Sequence, residues 1–323
     1  QKAKRIEKLS SYISDLVGFD QEMSARAGLL SKTDLLSEMV GEFADLQGVM
    51  GGYYALIDGE SKEVSVAIRE HYQPRFAGDD LPSTDAGIAV SLADKMDTLT
   101  GIYGIGQGPT GSKDPYALRR SALGMLRILL EAKIELNLKS LIDFSLSLHL
   151  KEVDRKSAGD IYNFMMERLK AYYRDANIDG NIYEAVLAVS PNSPLDFHHR
   201  IEALNEFTKS ANSKSLIEAN KRIANILKDS NEQLEELNPD ILVEDSEKSL
   251  FKATESLSNE LSGSKNYKEI MKSLLNLKET IDSFFDNVMV NAEDEKVKSS
   301  RLALIRRVRH LFLSVADISH LSS

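Results

Sequence analysis

The sequence predicts an all-α protein, and three observations carry that prediction. Apolar residues recur at helical spacing along most of the 323 residues. Alternating apolar and polar runs, the mark of half-buried strands, are scarce and never come in series. Helix-start and loop signals, such as Asp114-Pro115 and Asn238-Pro239, punctuate the apolar stripes.

The first stripe runs from Ala3 to Val17, with Ile6, Leu9, Ile13 and Leu16/Val17 on one face. A second helix is expected over 87–99. Asp114-Pro115 then opens a third, because Asp can cap free amides and Pro suits the first helical position. That helix turns Leu118, Ala122, Met125/Leu126 and Leu129 inward. Similar spacing predicts helices over 160–173, 196–207, 213–227, 246–261, 267–285 and 294–318. Pro191 and Pro194, with polar residues between them, mark the best domain join. The organisation expected is a helical domain over 1–150, a helical connector over 151–190 and a second helical domain over 191–323. A loop at Asn238-Pro239 lies in the acidic stretch 229–260, whose ten carboxylates face only Lys248 and Lys252 and read as a solvated surface. No internal repeat is visible.

Composition narrows the function classes. Hydrophobic residues at 42% and charged residues at 28% are values for a folded, soluble chain. Zero cysteines exclude disulfides and thiolate metal sites. No apolar run approaches the roughly 20 residues of a membrane span, and the first residues carry no signal-peptide core, so a cytoplasmic protein is expected. A net charge of −10 argues against nucleic-acid binding over the whole surface, so any RNA contact must use local basic faces.

Three groups of residues are candidates for chemistry. Asp34 in L-S-K-T-D-L, His71 in R-E-H-Y and Asp94 in A-D-K-M-D could share a metal ion. The set resembles that of HD-type phosphohydrolases, which hold metal through a His, a His-Asp pair and a later Asp. Thr33 stands where the pair's His would be, so the set is one ligand short and no metal is expected. The plainer reading caps a helix with Asp34, ends one with His71 and pairs Asp94 with a nearby cation. Second is the glycine loop 104–113, G-I-G-Q-G-P-T-G-S-K. It is not a phosphate loop of the nucleotide-binding kind, since Ser112 precedes Lys113 and a helix precedes the loop. It could bring backbone close to an RNA phosphate, with Lys113, Arg119 and Arg120 behind it, or simply connect two helices. Third are two basic faces. From Val297 on, Val297, Leu304, Val308, Leu311, Val315 and Ile318 form an apolar stripe, leaving Arg306, Arg307 and His310 opposite, with Arg301 among the five Lys/Arg there. Over 213–228, Leu216, Ile223 and Leu227 face inward, and Lys214, Lys221 and Arg222 face water. In a chain of net charge −10, these two faces amount to segregation of charge.

The signatures along 32–128, K-T-D-L-L-S-E-M-V-G through Y-A-L-R-R-S-A-L-G-M-L-R-I, closely resemble the β subunit of bacterial heterotetrameric glycyl-tRNA synthetase. N-K-R-I-A-N-I-L (220–227), F-F-D-N-V-M-V (284–290) and F-L-S-V-A-D-I-S (312–319) resemble its C-terminal anticodon-binding domain, itself similar to that of arginyl-tRNA synthetase. Ser300 stands where that family usually has Asn. The resemblance covers the whole chain but only the C-terminal half of the subunit. It implies a degenerate HD-like helical domain followed by a helical anticodon-binding domain. It also implies binding of tRNA(Gly) and assembly as α2β2 with the α subunit, which carries the ATP- and glycine-dependent chemistry. No catalytic residue and no cofactor are then expected here. The alternative from another class is a metal-dependent HD-type phosphohydrolase.

Overall fold

The computed structural model describes residues 1–149, 153–229 and 237–322. Among them are sixteen α-helices, a few 3₁₀ turns and no strand beyond one isolated bridge between Thr110 and Lys113. The fold is all-α. The helices are α1 (Lys2–Val17), α2 (Gln21–Leu30), α3 (Glu38–Glu42), α4 (Val49–Ile57), α5 (Lys62–Glu70), α6 (Asp85–Gly104), α7 (Leu118–Glu131) and α8 (Leu138–Leu148). They continue as α9 (Ala158–Asp175), α10 (Gly180–Leu187), α11 (Pro194–Phe207), α12 (Ser213–Asp229), α13 (Asp245–Leu261), α14 (Tyr267–Leu275), α15 (Lys278–Asn287) and α16 (Glu295–Leu313). They form two compact units, Gln1–Tyr172 with Asn192–Leu195 and Tyr173–Pro191 with Asp196–Ser323. Part of the acidic stretch, 230–236, and the expected boundary near 150 lie outside the described residues.

The first unit is built around α6. Every residue from Ala86 to Asp97 is buried, and α1, α2, α5, α7 and α8 all pack on it. Small residues make this possible: Ala86, Gly87, Ala89 and Ala93 let five neighbours approach one axis. Thr84 caps α6 by accepting from the Gly87 amide, and Asp20, Ser61 and Asn137 do the same for α2, α5 and α8. At its other end α1 closes on Gly18 at φ 79°, a left-handed position that suits glycine. Tyr12 stacks on Phe144 at 3.8 Å between ring centroids, tying α1 to α8.

The second unit is built around α16. Residues from Ser300 to Ile305 are buried in succession, wider than a one-sided stripe, because α12, α13 and α14 all pack against this helix. Phe197, Phe284 and Phe312 are its largest fully buried side chains. The Arg200 guanidinium adds a polar closure: it donates to the Ser314 and Val315 carbonyls, to Tyr267 Oη and to Asp196.

Three helix boundaries differ from the sequence reading, one being that of α16, which stops at Leu313 where a helix to 318 is expected. The segment 267–285 is two helices, since 3₁₀ bonds from Asn276 to Ser273 and from Leu277 to Leu274 turn the chain and bury Leu277. The helix expected from Asp114-Pro115 begins at Leu118 instead, after Ala117 at φ 55°. Asp114 still caps it, accepting from the amides of Leu118 and Arg119 at 2.8 and 3.0 Å.

Candidate nucleic-acid interface

The second unit sets two arginines of its basic faces on aromatic rings. The Arg222 guanidinium, on the exposed side of α12, lies over the Phe285 ring at 4.2 Å. Arg307, on α16, lies over Phe251 at 5.4 Å. A guanidinium laid on a ring is held in place while its N–H edge stays open to an anion. Arg306 is half-buried beside it, and Lys214 is exposed on α12. Lys221 is half-buried on the same helix. Sequence reasoning missed both rings. The one signal for them was the doublet Phe284-Phe285, which buries its first ring fully and its second in part.

Arg301 does not belong with these residues. It sits in the buried stretch of α16, paired with fully buried Glu247 and donating from Nη1 to the Met289 carbonyl at 2.8 Å. An RNA phosphate cannot reach it. Its basic neighbours make its charge look like surface, and spacing cannot show a partner fifty-four positions earlier. Ser300, the departure from the family pattern, donates to the Asn238 carbonyl at 3.2 Å.

In the first unit the glycine loop follows α6, and two of its glycines, Gly106 at φ 73° and Gly111 at φ 53°, hold left-handed turns. Arg119 is turned back on this loop, donating to the Gly111 carbonyl at 2.6 Å, so it braces the turn. Lys113 and Arg120 remain exposed. Arg120 lines an open cleft of about 790 Å³ whose other cations include Arg69 and Arg75, with Tyr72 and Tyr116 among its aromatic walls.

The floor of that cleft reaches Asp94. Its Oδ2 accepts from Lys32 Nζ at 2.8 Å, and Lys32 Nζ lies 2.7 Å from His71 Nε2. Lys2 Nζ stands 2.9 Å from the other carboxylate oxygen. His71 Nδ1 faces the Ile68 carbonyl at 2.5 Å, which fixes that nitrogen as donor and Nε2 as acceptor from the ammonium. Asp34 points elsewhere, its Oδ2 accepting from the amides of Gly48 and Gly51 at the start of α4. A lysine ammonium thus bridges two of the groups that a divalent ion would need, and the third candidate, the Asp34 carboxylate, is committed to backbone. These residues do not fit a metal ion, and the described residues hold no group of three or more His, Asp or Glu placed for one.

Electrostatics follow from this arrangement. Burial, then the Lys32 charge, push the His71 imidazole down to about 3. Burial alone would raise the Asp94 carboxyl, but the Lys32 and Lys2 ammonium groups outweigh it and hold it well below the usual range. The unfolded chain protonates the imidazole below about pH 6.5, whereas the folded chain resists. Stability is therefore fully present above that pH and is lost as pH falls towards the folded value, by roughly 2–3 kcal/mol between about pH 7.5 and about pH 4.5. Urea unfolding of the wild type and His71→Asn at both pH values gives this contribution as a difference. Equal pH dependence in the two would contradict it.

Comparison with known proteins decides the family. A model described as the glycyl-tRNA synthetase beta subunit matches residues 1–188, more than half of the chain. The chain belongs to the glycyl-tRNA synthetase β-subunit family. A DALR anticodon binding domain model matches 216–318, the stretch that carries Arg222, Arg306 and Arg307. Relatives of the family are similar along nearly all of it. The glycine–tRNA ligase beta subunit of Aliivibrio fischeri (strain ATCC 700601 / ES114) is 48% identical over 323 residues, 98% of this chain and 47% of the relative. Those of Haemophilus influenzae (strain PittGG) and Ectopseudomonas mendocina (strain ymp) are each 46% identical with the same coverage. The chain spans about half the length of these glycine–tRNA ligase relatives. Among the described residues, no helix is long and apolar enough to cross a membrane.

Proposed function

We propose that the chain is the tRNA-binding part of a glycine–tRNA ligase β subunit, gripping tRNA(Gly) while the α subunit performs the ATP-dependent glycylation. The observation that supports it most is the match of an anticodon binding domain to the stretch where Arg222 and Arg307 lie over aromatic rings. Guanidinium groups held in this way suit the phosphates of an anticodon arm, and nearby rings suit its unstacked bases. The first unit is a degenerate HD-like domain in which Lys32 stands where a metal would bind, and the stretch 191–323 is the anticodon-binding domain. Lys113 and Arg120, with the cleft cations, offer a further phosphate-binding face. The protein acts in the cytoplasm, without a cofactor of its own, in an α2β2 assembly with the α subunit.

The HD-type phosphohydrolase alternative has nothing here to favour it, because Lys32 stands where its metal would bind. With ATP and glycine, the purified chain is expected to give no pyrophosphate exchange above a no-protein control. Footprinting should place its protection of tRNA(Gly) on the anticodon arm. Exchange turnover, or protection absent from that arm, would overturn the reading.

A further inference from the structure

Helix α4 has the sequence VMGGYYALI, with no charged side chain. A helix that is apolar all round belongs inside a protein. Only one face of α4 is inside. Gly51, Gly52 and Ala55 turn towards α5 at close range, and a Cβ on Gly52 would stand 2.9 Å from the Ser65 carbonyl oxygen. The opposite face is open, with Tyr53 56% exposed and Ile57 78% exposed. The same character continues into the preceding turn and loop, where Leu36 is 90% exposed and Phe43 61% exposed. Seven of the thirteen exposed large hydrophobic side chains among the described residues fall between positions 35 and 57. Concentration on that scale marks a binding surface rather than ordinary scatter.

The charges around it restrict what can bind. Positions 33–61 hold six carboxylates and no Lys or Arg. Asp34 is buried, Glu60 is paired with Arg26 and Asp45 lines the cleft together with Arg69, which leaves Glu38, Glu42 and Asp58 exposed around the apolar side chains. RNA phosphates would be repelled by such a rim. A second copy would present the same carboxylates in a chain of net charge −10. The complement is a protein surface with an apolar stripe flanked by Lys and Arg.

We propose that the outer face of α4, with Leu36 and Phe43, docks a second protein subunit through such a basic-flanked apolar surface. For the identity of that subunit the inference rests on the ligase reading, which makes it the α subunit.

The test uses the intact chain and Tyr53→Ser/Ile57→Ser, with Leu36→Ser as a second variant. Each is titrated with purified α subunit and, separately, with tRNA(Gly), beside circular dichroism. These side chains are exposed, so the helices are expected to survive. Affinity for the α subunit should fall roughly a hundredfold in the double variant and about tenfold for Leu36→Ser, the size of central interface residues. Affinity for tRNA(Gly) should not change. Equal α-subunit affinity in wild type and variants overturns the inference and leaves the ligase reading intact. A wild-type chain that binds tRNA(Gly) but not the α subunit overturns the inference together with the assembly part of that reading. Loss of tRNA binding instead, or loss of a self-association that the wild type shows, also overturns it by assigning the face to RNA or to a second copy.

Discussion

Glu247→Ala is expected to destabilise the second unit by about 3–5 kcal/mol, the cost of leaving one member of a buried ion pair alone. Glu247 is fully buried, and its carboxylate accepts from Arg301 and from the amides of Val243 and Glu244. Removing it leaves a guanidinium inside α16 with only the Met289 carbonyl, and leaves two amides at the start of α13 without an acceptor. The same side chain thus serves as a helix cap and as the counter-ion of the central helix. Urea unfolding followed by circular dichroism measures the loss. A change below about 1 kcal/mol, ordinary for a surface pair, would show that Arg301 finds water or another partner.

Lys32→Met should cost the first unit about 2–3 kcal/mol, somewhat less than a fully isolated pair. The variant keeps the aliphatic length but removes the cation between His71 and Asp94. Asp94 retains Lys2, whose side chain is 40% exposed and whose hold is therefore screened. Neutralising the carboxylate as well, in Lys32→Met/Asp94→Asn, should recover much of the stability, because the cost is that of an uncompensated buried charge. The measurement is a double-mutant cycle by urea unfolding. Additive losses in the double variant would refute the direct pairing.

Much of the fold was legible because helical spacing survives wherever one face alone is buried. The first helix shows this well: Ile6, Leu9 and Ile13 are all fully buried. Legibility failed where burial is not one-sided. Helix α16 buries Ser300 and Arg301 along with its apolar residues, so periodicity alone turns Arg301 outward. Helices α2, α3, α4, α5, α8 and α10 were not individually expected; in α4, paired glycines argue against a helix when read locally. In the structure they allow the close approach to α5. In the candidate site, the positions of Arg222, Arg306 and Arg307 on their helices could be read from spacing. The rings beneath Arg222 and Arg307 could not, because they come from α15 and α13. Lys32 escaped notice for a similar reason. It lies next to the Thr33-Asp34 pair, but its partners His71 and Asp94 are 39 and 62 positions away.

The central claim is that Arg222, Arg306 and Arg307 of the second unit hold tRNA, and a salt series tests it most directly. The intact chain and Arg222→Ala/Arg306→Ala/Arg307→Ala would be titrated with tRNA(Gly), beside circular dichroism to confirm the helices. Removing one arginine–phosphate interaction should lower affinity by roughly 1 kcal/mol and reduce the salt slope by about one unit, so the triple variant should bind about a hundredfold more weakly with a slope flatter by about three. A well-folded triple variant with unchanged affinity and slope would show that these arginines form only a solvated surface, and would contradict the account.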